Sequence, residues 1–374
     1  MKVVITVPWG ERLGGAENIL WTFLQYLNRQ RIQPFVVFFQ PGSFERDVAA
    51  LGIRTVVIPS GRLRQLRRAF HTVRALVSVL RRERPDILLN WAAKTQLYGA
   101  TAAILAGISD RVIWWQQMVP HGEWMDRAAT ALPTRAVGCY SNAALRAQEQ
   151  QWPHRPGFVV YPGIAAPTLI SLREVADLRN QLAIPSGRAL IGIVGRLQPW
   201  KGQDRFLRCL ADLSARGHDV HGLIVGGDVG NFSPGFELAL HRLASELGLE
   251  ERVTFTGHVS EPGPYYQLMD VSVNASHGEP FGIVVLEAMA RGVPVVAFDA
   301  GGPAEILQSG QTGLLVPLGD ERGLAEALSQ LLSSEQFRRE LGEAGRKHFL
   351  AQFTAERMTE KLTSELLSHA VTVR

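Results

Sequence analysis

Leu190-Ile191-Gly192-Ile193-Val194-Gly195 reads as the first strand of a second domain, where the strand–helix pattern restarts. The run is apolar, short and closed by glycine. It matches in kind the run that opens the chain, Val3-Val4-Ile5-Thr6-Val7. Working outward, short β-branched runs alternate with longer helical patterns on both sides. The first half predicts strands at 3–7, 35–39, 54–58, 86–90, 111–115, 135–139 and 157–161. The second half predicts them at 189–194, 220–225, 252–256, 270–274 and 294–298. These runs are apolar throughout rather than alternating, as strands covered on both faces are. Strand–helix–strand alternation implies parallel sheets with right-handed crossovers. The fold class is therefore α/β, as two doubly wound, Rossmann-like domains.

The chain has 374 residues, and a domain usually takes about 100–200, so two domains fit the length. Tyr161-Pro162-Gly163-Ile164 breaks the pattern and marks the boundary. The expected division is 1–165, 166–352 and a terminal helical segment 353–374. Helical stretches are expected at about 334–349 and 354–368.

Composition bounds the rest. Hydrophobic residues make up 46% and charged residues 20%, so each half can bury its own core. The opening strand is too short and wrongly flanked for a secretory signal. No uncharged apolar run reaches the length of a membrane span. Cys139 and Cys209 offer neither a disulfide framework nor a metal cluster, and a reducing cytoplasm is expected. The net charge of +4 conceals an asymmetry, with residues 1–165 at +10 and the remainder at −6. The first half should seek anionic surfaces.

In open α/β sheets, ligands bind outside the carboxyl ends of the strands, so the loops after strands carry the candidate chemistry. After the 270–274 run comes Ser276-His277-Gly278-Glu279-Pro280-Phe281-Gly282-Ile283-Val284-Val285-Leu286-Glu287. Glu279 lies on the loop, and Glu287 lies in the helix that follows. Pro280 and Gly282 punctuate the turn. The amides of 281–284 form a helix N-terminus, which suits a phosphate. Glu287 suits ribose hydroxyls, and Glu279 suits those of a sugar ring. After the 189–194 run, Gly195-Arg196-Leu197-Gln198-Pro199-Trp200-Lys201-Gly202 places two cations five residues apart, able to clamp a diphosphate. In the first domain, Gly14 and Gly15 lie between the first strand and its helix, where a backbone can approach a ligand. That turn lacks the Gly-x-Gly-x-x-Gly fingerprint, which argues against a dehydrogenase.

In order and spacing these stretches resemble family 4 of the retaining glycosyltransferases, which have the GT-B fold. The likeness is carried by Gly14-Gly15-Ala16-Glu17, Gly195-Arg196 with Lys201-Gly202, and Glu279-Pro280-Phe281-Gly282 through Glu287-Ala288. Gly292-Val293-Pro294-Val295-Val296, Gly301-Gly302-Pro303-Ala304-Glu305 and Gly310-Gln311-Thr312-Gly313-Leu314-Leu315-Val316 belong to it too. It is dense from about 189 to 320 and thinner before.

The resemblance implies a donor-binding second domain, an acceptor-side first domain, and a cleft between them. It implies sugar transfer from a UDP- or GDP-sugar to a hydroxyl acceptor, with retention at the anomeric carbon. Arg196 and Lys201 would bind the diphosphate, and Glu287 the ribose. Glu279 and the amides of Phe281, Gly282 and Ile283 would hold sugar and phosphates, with Gly195 and His277 beside them. Gly14 and Gly15 would face the sugar-phosphate. The terminal helix would pack back on the first domain. Family members often place a histidine after the strand corresponding to 111–115. Here that stretch reads Trp114-Trp115-Gln116-Gln117-Met118-Val119-Pro120-His121, leaving His121 or Gln117 for the role. The chain has no Asp-x-Asp, so no metal and no cofactor are expected. The competing readings are a phosphorylase or epimerase on the same fold, and a degenerate sugar-nucleotide-binding partner protein.

Residues 62–84 hold eight arginines and one acid, Glu83. Leu63, Leu66, Phe70, Val73, Val77 and Leu80 recur at helical spacing. That apolar seam is expected to pack on the sheet. Charge, more than insertion, would then draw the helix to an anionic membrane surface, giving a cytoplasmic, peripheral protein. Nucleic acid is not an expected partner, for want of interleaved aromatics and any recognised motif.

Overall fold

The computed structural model describes residues 1–12, 14–61, 64–120, 122–228 and 233–370. The chain forms two compact units, 1–163 with 355–374, and 164–354. The divisions fall after Gly163, within the stretch marked by Pro162 and Gly163, and after Thr354, each two residues from the expected ends at 165 and 352.

The first unit holds a seven-stranded parallel sheet. Its strands are β1 Lys2–Val7, β2 Gln33–Phe38, β3 Arg54–Val57, β4 Ile87–Asn90, β5 Val112–Gln116, β6 Ala136–Cys139 and β7 Gly157–Val159. Their order is β3-β2-β1-β4-β5-β6-β7, so the winding reverses between β1 and β4. The central strands are buried along nearly their whole length, which is why they read as unbroken apolar runs. Trp114 and Trp115 are core residues, and Trp115 stacks on Trp91 at 5.0 Å between ring centres. The helix Ala355–Ser368 belongs to this unit, packs on the helix Gly15–Tyr26, and buries Met358, Leu362 and Leu366.

The second unit holds a six-stranded parallel sheet. Its strands are β8 Ala189–Val194, β9 Val220–Val225, β10 Val253–Phe255, β11 Val271–Asn274, β12 Val295–Phe298 and β13 Leu314–Val316. The order β10-β9-β8-β11-β12-β13 reverses between β8 and β11. Strand β13 is absent from the sequence reading. Ile191, Phe206, Leu210, Val271, Phe298 and Leu328 form part of the core. The helix Glu335–Gln352 closes this unit.

One expectation holds only in part. The arginine-rich helix runs Leu66–Glu83, and Arg62 and Leu63 lie outside the described residues. Its buried face is Thr72, Leu76, Val79, Leu80 and Glu83, while Leu66 and Phe70 are 78% and 63% exposed. The expected apolar seam therefore packs only in its later turns, where Val73, Val77 and Leu80 lie against the core, while Leu66 and Phe70 do not. Polar groups occupy part of the packed face because their partners are there. Thr72 Oγ1 donates to the carbonyls of Pro59 and Arg68. Glu83 pairs with Lys2, Arg54 and Arg82.

Candidate donor site

In the second unit the winding reverses between β8 and β11, and the loops leaving these two strands are bound together. Gly202 has φ +80°, in the left-handed region, and a Cβ there would run into the carbonyl oxygen of Ala275 just after β11. The amide of His277 donates to the Trp200 carbonyl at 2.7 Å. Gln203 Nε2 donates to the Arg196 carbonyl at 3.0 Å. The two motifs, nearly eighty residues apart in sequence, thus form one site.

Its centre is an ion pair. Lys201 Nζ donates to Glu279 Oε2 at 2.6 Å, with the two side chains only 14% and 9% exposed. The ammonium also lies 4.1 Å from the Trp200 ring centre, a cation–π contact. Lys201 and Glu279, expected to meet different parts of a ligand, meet each other here. Gly195, at φ +152°, lies beside them, since a Cβ on it would sit 3.8 Å from Lys201 Cδ. Arg196 is half-buried, one residue beyond Gly195.

Gly282 caps the helix Ile283–Ala290 with φ +101°, a conformation that favours glycine. The first-turn amides beyond it have no carbonyl within their own helix to bond. Phe281 is buried at 3% exposure with its ring against Phe353, so only its backbone is available to a ligand. Glu279 is anchored through its carbonyl, which accepts from the Gly302 amide at 3.0 Å. Glu287 accepts from Tyr266 Oη at 2.8 Å, and burial raises its pKa above the ordinary carboxylate value. Burial likewise raises Tyr266 and lowers Arg291, whose guanidinium lies 5.7 Å from the Tyr266 ring centre.

His277 is exposed, with its ring tilted against Phe298. Its Nδ1 lies 3.5 Å from Arg205 Nη2. Arg205 escapes the sequence reading because it sits in the first turn of the helix Gln203–Ala215, just past the glycine-punctuated turn that ends at Gly202. Its side chain is 18% exposed, and Nη1 is buried with no hydrogen-bond partner among the described residues.

The first unit offers a separate set of groups where its own winding reverses. Gly14 caps the helix Gly15–Tyr26 after β1. Gly14 is extended at φ −157°, which any residue adopts, but a Cβ there would approach Glu17 Oε2 to 3.1 Å. Trp91, after β4, donates from Nε1 to the Ala16 carbonyl at 3.2 Å. Gln117 Nε2 donates to the Trp91 carbonyl, which ties the loop after β5 to the same group. His121 lies outside the described residues. Lys94, in the first turn of the helix Ala93–Ala106, was not singled out by sequence. It is half-buried, burial lowers its pKa, and it has no carboxylate partner among the described residues.

Two Rossmann-like parallel-sheet units are the architecture of the GT-B glycosyltransferase fold, which the chain carries. The comparisons agree. Residues 174–348 match the family model "Glycosyl transferases group 1", and residues 13–166 match "Glycosyltransferase Family 4". The chain is built from these two glycosyltransferase domains. It is 28% identical over 290 residues to the lipopolysaccharide core biosynthesis glycosyltransferase LpsE of Rhizobium meliloti, covering 77% of each. It is 40% identical over 181 residues to a D-inositol 3-phosphate glycosyltransferase of Corynebacterium aurimucosum. That match spans 47% of this chain and 42% of the relative. Among solved structures, HepE of Anabaena with UDP-glucose superposes with a TM-score of 0.84 at 25% identity, covering 98% of this chain and 99% of that one.

Proposed function

We propose that the protein is a retaining glycosyltransferase that takes a sugar from a nucleoside diphosphate donor, a UDP-sugar before a GDP-sugar. The observation that carries this is the buried Lys201–Glu279 pair at the reversal of the second sheet. It fixes a cation and a carboxylate side by side next to a helix N-terminus. Lys201 has three donor positions and spends one on Glu279. The others, with the Arg196 guanidinium, suit the two phosphates of the donor. Fixed positive charge there stabilises the diphosphate as the anomeric bond breaks. The same cations do the work a divalent ion does elsewhere, so the reaction is metal-independent on this reading. Glu279, and the amides of Gly282 and Ile283, hold sugar and phosphate. Glu287, fixed by Tyr266, takes ribose hydroxyls with its remaining lone pairs. The HepE structures with UDP and with UDP-glucose support the donor class.

The acceptor is a hydroxyl of a glycoconjugate, as the name of the LpsE relative suggests. Lys94 suits an acceptor that carries an anionic group near that hydroxyl.

The test is a thermal-shift series with UDP, GDP, ADP and dTDP and their sugars, without metal, on the wild type and Arg196→Ala. A ligand bound only to the folded state raises its melting temperature. UDP or UDP-glucose is expected to stabilise the wild type. Loss of a charge-assisted hydrogen bond costs about 1.5–3 kcal/mol, so Arg196→Ala should bind about 10–100-fold more weakly. If no nucleotide shifts the wild type, even with magnesium, the donor reading falls, and a non-catalytic role that needs no nucleotide replaces it.

A further inference from the structure

The exposed face of the helix Leu66–Glu83 has no role in the donor site. Arg67, Arg74 and Arg81 recur every seven residues and form one row along it. Arg64, Arg68, His71 and Arg82 flank the row, all exposed. The segment's only acid, Glu83, is turned inward and neutralised by Lys2, Arg54 and Arg82. Arg64, Arg67, Arg68 and Arg74 have no acidic partner among the described residues. Leu66 and Phe70, one turn apart, stand out beside them at 78% and 63% exposure. A Leu–Phe pair this open to water is not explained by packing. The helix starts after β3, so the pair lies on the carboxyl side of the sheet, as do Gly14, Gly15 and Lys94.

We infer that this face is a docking surface for an anionic lipid bilayer, with Leu66 and Phe70 entering the headgroup boundary and the arginines holding the phosphates around them. Apolar residues and cations on one unpartnered helix face are the composition of an interfacial helix. Charge complementarity selects an anionic membrane over a neutral one. Leu66 and Phe70 bring insertion, which arginines alone do not supply. The inference rests on the surface of this helix and is independent of the donor reading.

The experiment is co-sedimentation of the full chain with vesicles of phosphatidylcholine alone, and of phosphatidylcholine with 30% (about one lipid in three) phosphatidylglycerol. The variants are Leu66→Ser/Phe70→Ser and Arg67→Gln/Arg74→Gln. All four positions are exposed, and an unchanged melting temperature verifies the fold of each variant. The wild type is expected to bind the anionic vesicles only. At about 1 kcal/mol per basic residue, the arginine pair should weaken binding about 30-fold. The serine pair should weaken it at least about 10-fold, and less steeply with salt. Equal binding to neutral vesicles overturns the inference, as does binding unchanged by the serine pair. So does tighter binding to a single-stranded oligonucleotide than to the anionic vesicles, which would assign the face to nucleic acid.

Discussion

Lys201 and Glu279 show what a buried ion pair does before any ligand arrives. Removing two charges from water is costly, and their attraction offsets this only when both are present. Lys201→Met would leave a carboxylate buried without its partner, costing about 3–5 kcal/mol of stability. Lys201→Met/Glu279→Gln should cost well under the sum of the two single changes, since neither remaining group is charged. Denaturant melts of the four proteins give this coupling, and additive effects would mean that the pair is not joined in solution. Lys201 and Glu279 were legible as candidates in the sequence because they sit on glycine- and proline-punctuated turns after strands. Their mutual pairing was not, since it depends on a contact across 78 residues. Arg205 and Lys94 were illegible for a different reason. Each is an ordinary cation in a helix, and only burial sets it apart.

Elements were easier to read than their faces. Strands covered on both sides announce themselves as apolar runs, and twelve were found that way. Strand β13 was not, because three residues between Gly313 and Pro317 carry too little pattern, and its place is fixed only by pairing with β12. The arginine-rich helix was plainly amphipathic. Yet Thr72 and Glu83 took buried positions that a count of apolar residues assigns elsewhere. Strand β9 conceals a similar case in His221, whose Nε2 lies 2.9 Å from Thr254 Oγ1. Burial first, and then Arg188, Arg179 and Arg252, lower its pKa from 6.5 to about 4. The unfolded chain therefore binds a proton between these values that the folded chain refuses. Stability is full above about pH 6.5 and falls as pH drops toward 4. Melting temperature measured across that window should fall less in His221→Gln than in the wild type. Parallel curves would show that this ring is not desolvated.

At the scale of the whole molecule, the order of the chain differs from the order of its units. The restart at Leu190 was legible because a strand pattern repeats. The return of the terminal helix to the first unit came only as an implication of family resemblance, since nothing local distinguishes one amphipathic helix from another. The second unit is continuous from 164 to 354, whereas the first needs residues 355–374 to complete it. The helix Ala355–Ser368 buries Met358, Leu362 and Leu366 at 4%, 1% and 0% exposure. At about 1.5–3 kcal/mol for each such side chain, its removal takes on the order of 5 kcal/mol from the first unit. That approaches the whole stability of an ordinary domain. A chain ended at Thr354 should therefore lose amide protection throughout β1–β7 while β8–β13 keep theirs. Hydrogen exchange read by peptide would show this as two populations of segments divided at Gly163. On the proposed donor reading, UDP added to the truncated chain should still slow exchange in the loops after β8 and β11. Loss of protection in β8–β13 as well would mean that the second unit does not stand on its own core.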